Sequence, residues 1–88
     1  MNIEINGING HTAGLGADTI RDAAEAEAAA WFAQRDTSCL VWDAEADAYA
    51  DHAAADAMLR DVTAHIQATV CADWARADEV FVTASREA

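Results

Sequence analysis

A chain of 88 residues with 16 acidic side chains, five arginines and no lysine carries a net charge of −11. Direct binding to nucleic acid or to an anionic membrane is disfavoured, because both affinities come from cations that displace counterions. Hydrophobic residues make up 53%, but 24 of these residues are alanine, so about twenty side chains are left to fill a core, which allows one two-layer domain over 1–88 and no deep substrate cavity.

The opening MNIEING has neither the basic start nor the apolar run of a signal peptide, and no stretch reaches the ~18 apolar residues of a membrane helix. A cytoplasmic protein is expected, with Cys39 and Cys71 as two buried thiols rather than a disulfide. Residues 2–8 alternate, with Ile3 and Ile5 on one face and Asn2, Glu4 and Asn6 on the other, which predicts a short half-buried strand. Asn6-Gly7 and Asn9-Gly10 are turn dipeptides, and all four glycines fall in the first sixteen residues. Residues 10–17 therefore read as a flexible loop.

Asp18 reads as the N-cap of a helix from Thr19 to about Gln34, with Ile20, Ala24, Ala28, Trp31 and Phe32 on one stripe. Arg35-Asp36-Thr37-Ser38 breaks it. Cys39-Leu40-Val41-Trp42 is apolar on both faces, the pattern of an interior strand. Residues 43–52 allow two readings. As a hairpin, 43–47 turn and 48–52 return as a strand carrying Tyr49. As a helix, Asp43, Asp47 and Asp51 stack one above another, each like-charge neighbour costing a few tenths of a kcal/mol; the hairpin is the reading taken. From Ala54 a stripe of Met58, Leu59, Val62, Ile66, Val70 and Trp74 predicts a helix that ends at Asp78 or Glu79, supported by Asp56 and Arg60 in the favourable order. Val80-Phe81-Val82-Thr83 is a closing strand and 85–88 a polar tail. The predicted fold is α+β: two helices on one face of a small three- to four-stranded, mainly antiparallel sheet, in the ferredoxin-like order β-α-β-(β)-α-β.

Few constellations survive as chemistry. A Walker loop needs a lysine, and Gly14-x-Gly16 has Thr19 where a dinucleotide fingerprint needs its third glycine. Asp43, Glu45, Asp47 and Asp51 occupy positions 1, 3, 5 and 9 of a calcium loop, but Ala48 and Ala54 replace the glycine and the bidentate glutamate. His11, His52 and His65 are scattered; the pairs His52/Asp56 and Asp61/His65 each share a helix face, two ligands where zinc takes three or four. The ordinary reading pairs His65 with Asp61 on a solvated surface. Cys39 in an apolar strand is core rather than nucleophile. No catalytic residue, metal or cofactor is expected. Trp31, Trp42 and Trp74 read as core aromatics; an exposed one would be an interface anchor.

The arrangement of negative charge remains. On a strand, alternate residues lie ~6.6 Å apart on one face, and a DNA strand advances one phosphate per ~3.4 Å. One row of carboxylates thus reaches about half the line density of a nucleic-acid strand, and two adjacent rows match it. The second row would come from Asp56 and Asp61, or from Asp22, Glu25 and Glu27. Two blander accounts compete: charge that keeps the protein in solution, and halophilic adaptation, in which an excess of aspartate (ten to six glutamates) and loss of lysine are general.

At AAEAEAAAW (23–31) and VWDAEADAYAD (41–51) the sequence resembles small acidic phage anti-CRISPR proteins of the DNA-mimic kind. A looser likeness to barstar-like ribonuclease inhibitors rests on EINGIN (4–9), WD (42–43) and DEVFVTAS (78–85), with Asp43 the one position carried across. Each likeness covers less than a third of the chain, and both imply an inhibitor that occupies a nucleic-acid site. The expected function is an acidic, phage-encoded inhibitor acting in the host cytoplasm. It would block the basic nucleic-acid-binding surface of a target complex through Asp43, Glu45, Asp47, Asp51 and Asp56, with Trp42 or Tyr49 as apolar anchor. The alternative is a non-catalytic structural or assembly module of a phage or halophilic virus. Oligomeric state and target identity stay open.

Overall fold

Strand β1 (Asn2–Asn6) pairs antiparallel with the closing strand β4 (Phe81–Ser85), in a register that sets Ile5 opposite Val82 and Ile3 opposite Ala84. The computed structural model describes residues 2–6, 17–70 and 80–86. Between the two strands come helix α1 (Ala17–Ala33), a single 3-10 turn (Ser38–Leu40), a hairpin of two-residue strands β2 (Trp42–Asp43) and β3 (Ala48–Tyr49), and helix α2 (His52–Ala68). The class is α+β, and this element order is compatible with a ferredoxin-like arrangement. The strands form two small antiparallel sheets, β1-β4 and β2-β3, joined by one parallel bridge between Val41 and Arg86.

Alternation in β1 and β4 gives the pair one apolar face, and both helices pack against it. Ile5, Val82 and Ala84 are buried there with Val80, and α1 contributes Ala24, Ala28 and Phe32, spaced by one helical turn each. Alanine at two of these positions lets α1 lie close to β1. From α2 come Ala55, Val62 and Ile66, and Leu40 of the 3-10 turn is fully buried in the same cluster.

The edge of β4 away from β1 meets no continuous partner strand among the described residues, and its polar groups are satisfied one at a time. Gln67 of α2 donates its side-chain amide to the Val80 carbonyl (3.1 Å), and the Val82 N–H donates to the Thr63 hydroxyl (3.1 Å). Further along, the Tyr49 hydroxyl donates to the Ala84 carbonyl (2.7 Å), the Arg86 N–H to the Leu40 carbonyl (2.9 Å), and the Trp42 N–H to the Arg86 carbonyl (3.4 Å). Even-numbered residues thus face α2 and the hairpin, while β1 takes the other edge, as the two-residue period of a strand requires.

Several sequence-based expectations shift. The helix α1 begins at Ala17, so Asp18 lies inside its first turn instead of capping it. Residues 39–42 are not an interior strand: Asp36 accepts the Ser38 N–H (3.0 Å) and bends the chain into the 3-10 turn, leaving Cys39 half-buried and Trp42 exposed. This bond, with a smaller contribution from the Arg86 charge, holds the Asp36 carboxyl below the usual carboxylate range. Helix α2 starts at His52 because Asp51 is its N-cap, accepting the Ala54 N–H (3.3 Å); the returning strand is therefore only two residues long. The C-terminal end of α2 is at Ala68, where the Thr69 hydroxyl and N–H both donate to the His65 carbonyl. Ser85 and Arg86, expected in a tail, belong to β4 and its bridge. Cys39 is a free thiol with its Sγ 3.9 Å from Met58 Sδ. The loop at 10–17, for residues 10–16, and His11, Cys71, Trp74, Asp78 and Glu79 lie outside the described residues.

Replacing Thr63 with valine keeps the shape but strands the Val82 N–H. An unpaired buried donor costs about 1–3 kcal/mol, so chemical denaturation of Thr63→Val should show a loss of that size, and Thr63→Ser should recover most of it.

Candidate functional site

The hairpin exists because two aspartates fold their own neighbourhoods. Asp43 closes the turn by accepting the N–H groups of Glu45 (3.0 Å) and Ala46 (3.3 Å), and Asp47 takes the left-handed conformation (φ 53°) that reverses the chain. Asp51 then starts α2. Sandwiched between these turns, Trp42 and Tyr49 sit opposite each other in register and meet edge to face, ring centroids 5.1 Å apart and planes at 90°. Such a cross-strand aromatic pair contributes about 0.5–1.5 kcal/mol beyond the area it buries.

The expected contact residues Trp42, Asp43, Glu45, Asp47, Tyr49, Asp51 and Asp56 fall on this hairpin or at the start of α2. Asp43, Glu45, Asp47 and Asp51 are exposed; Asp56 is half-buried and lies 3.2 Å from His52, one helical turn back. Glu45 and Asp47 make no side-chain hydrogen bond or ion pair among the described residues. At 40% exposure, Trp42 is the large hydrophobic residue left open to solvent among the described residues. Tyr49 is half-buried against the core, its ring fixed by the bond to Ala84.

The second carboxylate row takes a different form from the one expected. Glu27 of α1 is tied to His65 of α2 (Oε1 to Nε2, 2.8 Å), so His65 pairs across the helices and not with Asp61. His65 lies thirteen residues beyond His52, about 20 Å along the helix axis at 1.5 Å per residue, which sets Glu27 well away from the hairpin. Asp51, Asp56 and Asp61 are spaced by five, so each is rotated by about 140° from the last. Of Asp56 and Asp61, Asp56 is the one whose charge acts on the Tyr49 phenol.

One acid was missed. Glu4 stands on the outer, helix-free face of β1, opposite Thr83, and shares with Trp42 and Tyr49 a cleft of about 250 Å³ whose other walls are Asn2, Thr83 and Ser85. Its outward position follows from the alternation in β1. The neighbours it acquires depend on β4 closing against β1 and on the hairpin abutting the end of β4, which are long-range pairings. A larger, open hollow of about 640 Å³ runs beside α2, between Asp56, Leu59, Arg60, Thr63 and the β4 edge at Val82. Trp31 is half-buried and covered by Arg35, whose guanidinium carbon lies 3.7 Å from the ring centroid.

Among the described residues, no group of three or more His, Cys, Asp or Glu side chains is placed to hold a metal ion, and no helix is long and apolar enough to cross a membrane. Compared with protein-family models, with curated proteins and with solved structures, the chain finds no match.

Burial raises the Tyr49 phenol above its ordinary value of 10.0, and the Asp56 carboxylate pushes the same way. A raised value means the neutral phenol belongs to the folded state. The stabilisation is complete below pH 10 and is lost as the pH climbs through the raised value. Tyr49→Phe should lower stability at neutral pH by about 1 kcal/mol for the lost hydrogen bond and abolish the alkaline decline. Tyr49 is the chain's only tyrosine, so absorbance of the phenolate during a pH titration reports this group alone.

Proposed function

We propose that the protein is a non-catalytic acidic inhibitor, phage-encoded and acting in the host cytoplasm, that occupies the basic nucleic-acid-binding surface of a target complex in the manner of the anti-CRISPR DNA mimics it resembles. The observation that carries this reading is the hairpin. It carries Asp43, Glu45 and Asp47, with Asp51 following as the cap of α2, all exposed, on the same short segment as the exposed Trp42, in a stretch with no lysine or arginine between Arg35 and Arg60. A net charge of −11 steers a cationic partner toward the molecule, and the local cluster selects the contact. The contact set is Asp43, Glu45, Asp47, Asp51 and Asp56, with Trp42 as the apolar anchor. Tyr49 acts as its support and Glu4 as an addition. A single short row of acids flanked by an aromatic suits a few phosphate-binding arginines and lysines better than a long nucleic-acid track.

A second reading, a structural or assembly module of a phage or halophilic virus, draws on β1, which pairs on one side only among the described residues and so offers an edge for strand addition. Salt separates the two. A halophilic module requires molar salt to fold, which circular dichroism over a salt series would register; an inhibitor folds without it.

For the leading reading, the test is a mobility-shift measurement of target DNA with a CRISPR surveillance complex, with and without the protein. Asparagine and glutamine keep the oxygen acceptors that Asp43 and Asp51 use in the turn and the cap, so the combined Asp43→Asn, Glu45→Gln, Asp47→Asn, Asp51→Asn variant should fold. The wild type is expected to abolish DNA binding, and the neutralised variant to lose that effect by at least about tenfold, with a shallower dependence on salt. Equal inhibition by both proteins would overturn the reading.

A further inference from the structure

We infer that the cleft between Trp42, Tyr49 and Glu4 is a seat for one arginine side chain of the partner protein; this rests on the inhibitor reading and names the contact at its centre. Two ring planes at 90° form adjoining walls. The outer face of the β1-β4 pair supplies the floor, with Asn2, Thr83 and Ser85 on it and Glu4 among the lining residues. A guanidinium has weakly hydrated faces that stack on aromatic rings and in-plane N–H groups that fork onto carboxylate and hydroxyl oxygens. An ammonium has no flat face to present and keeps its water, so the site favours arginine over lysine.

Four further observations bear on the same conclusion. The cleft is already shaped: the Tyr49 hydroxyl is spent on the Ala84 carbonyl at 2.7 Å, which fixes the ring before any partner arrives. The surroundings are negative, since the Asp56 charge reaches the Tyr49 phenol and Glu4 lines the opening; an anionic occupant is disfavoured. Arg86, next to Ser85, does not fill the space, because it turns its guanidinium to the Thr37 hydroxyl (3.2 Å). The chain also uses this chemistry internally, where Arg35 lies over Trp31.

The experiment titrates the full chain into fluorescently labelled nona-arginine, nona-lysine and nona-citrulline peptides and reads anisotropy at two salt concentrations. The arginine peptide should bind about three- to fivefold tighter than the lysine peptide, the size of one exposed cation–π contact, with citrulline weakest. Glu4→Gln and Trp42→Leu should each bring the arginine peptide down toward the lysine peptide. The four-acid hairpin variant should weaken both cationic peptides and leave their ratio unchanged. Because Trp42→Leu also touches the hairpin, Glu4→Gln, a surface change of nearly the same shape, decides the matter if the leucine variant unfolds. Equal binding of arginine and lysine by the wild type, or a ratio that survives Glu4→Gln, overturns the arginine seat while the acidic-surface reading stands. Failure of the wild type to bind either cationic peptide overturns both.

Discussion

The far edge of β4 is the constraint on which the rest of the molecule depends. A strand buried on one face by two helices must still satisfy the N–H and C=O groups along both edges, because an unpaired buried group costs as much as a good contact contributes. β1 serves one edge. The other is served by Gln67, Thr63, Tyr49, Leu40 and Trp42, drawn from α2, the hairpin and the 3-10 turn. These bonds lock the orientation of α2 and the position of the hairpin at once. The hairpin is therefore tied in place by the strand that completes the fold.

Charge and structure share residues in this hairpin. Asp43 is both a turn-former and a surface carboxylate, and Asp51 is both a helix cap and the next acid in the row. Both retain solvent-facing charge while accepting backbone N–H groups. The protein thereby assembles a repulsive cluster with less cost than isolated acids would incur, since backbone dipoles offset part of the repulsion. Glu27, by contrast, is paired with His65 across the two helices, away from the hairpin.

How much could be read from the chain depended on the range of the interaction. Alternation in 2–6, the Ala24-Ala28-Phe32 stripe and the Val62-Ile66 stripe are local patterns, and each appears as expected. The hairpin reading of 43–52 was legible because like charges stacked on a helix argue against the alternative. Residues 39–42 misled because apolar content alone cannot tell a buried strand from a 3-10 turn next to an exposed edge; the deciding bond, Asp36 to the Ser38 N–H, was a turn signal that went unused. The start of α2 was likewise written in Asp51, an aspartate three residues before the amide it caps. His65 with Glu27, and Glu4 beside Trp42, join residues 38 positions apart in each case, and no local pattern encodes them.

One backbone angle carries a consequence for the lineage of this chain. Asp47 holds φ at 53°, a conformation that glycine adopts freely, that asparagine and aspartate tolerate at a smaller cost, and that burdens other residues by about 1–2 kcal/mol. A population selected for folding alone would drift toward glycine there, gaining stability with every such exchange. One retained for what the tip touches would keep the carboxylate and tolerate the strain. Sequencing position 47 after many generations of each regime would turn a single dihedral into a record of which pressure shaped the loop.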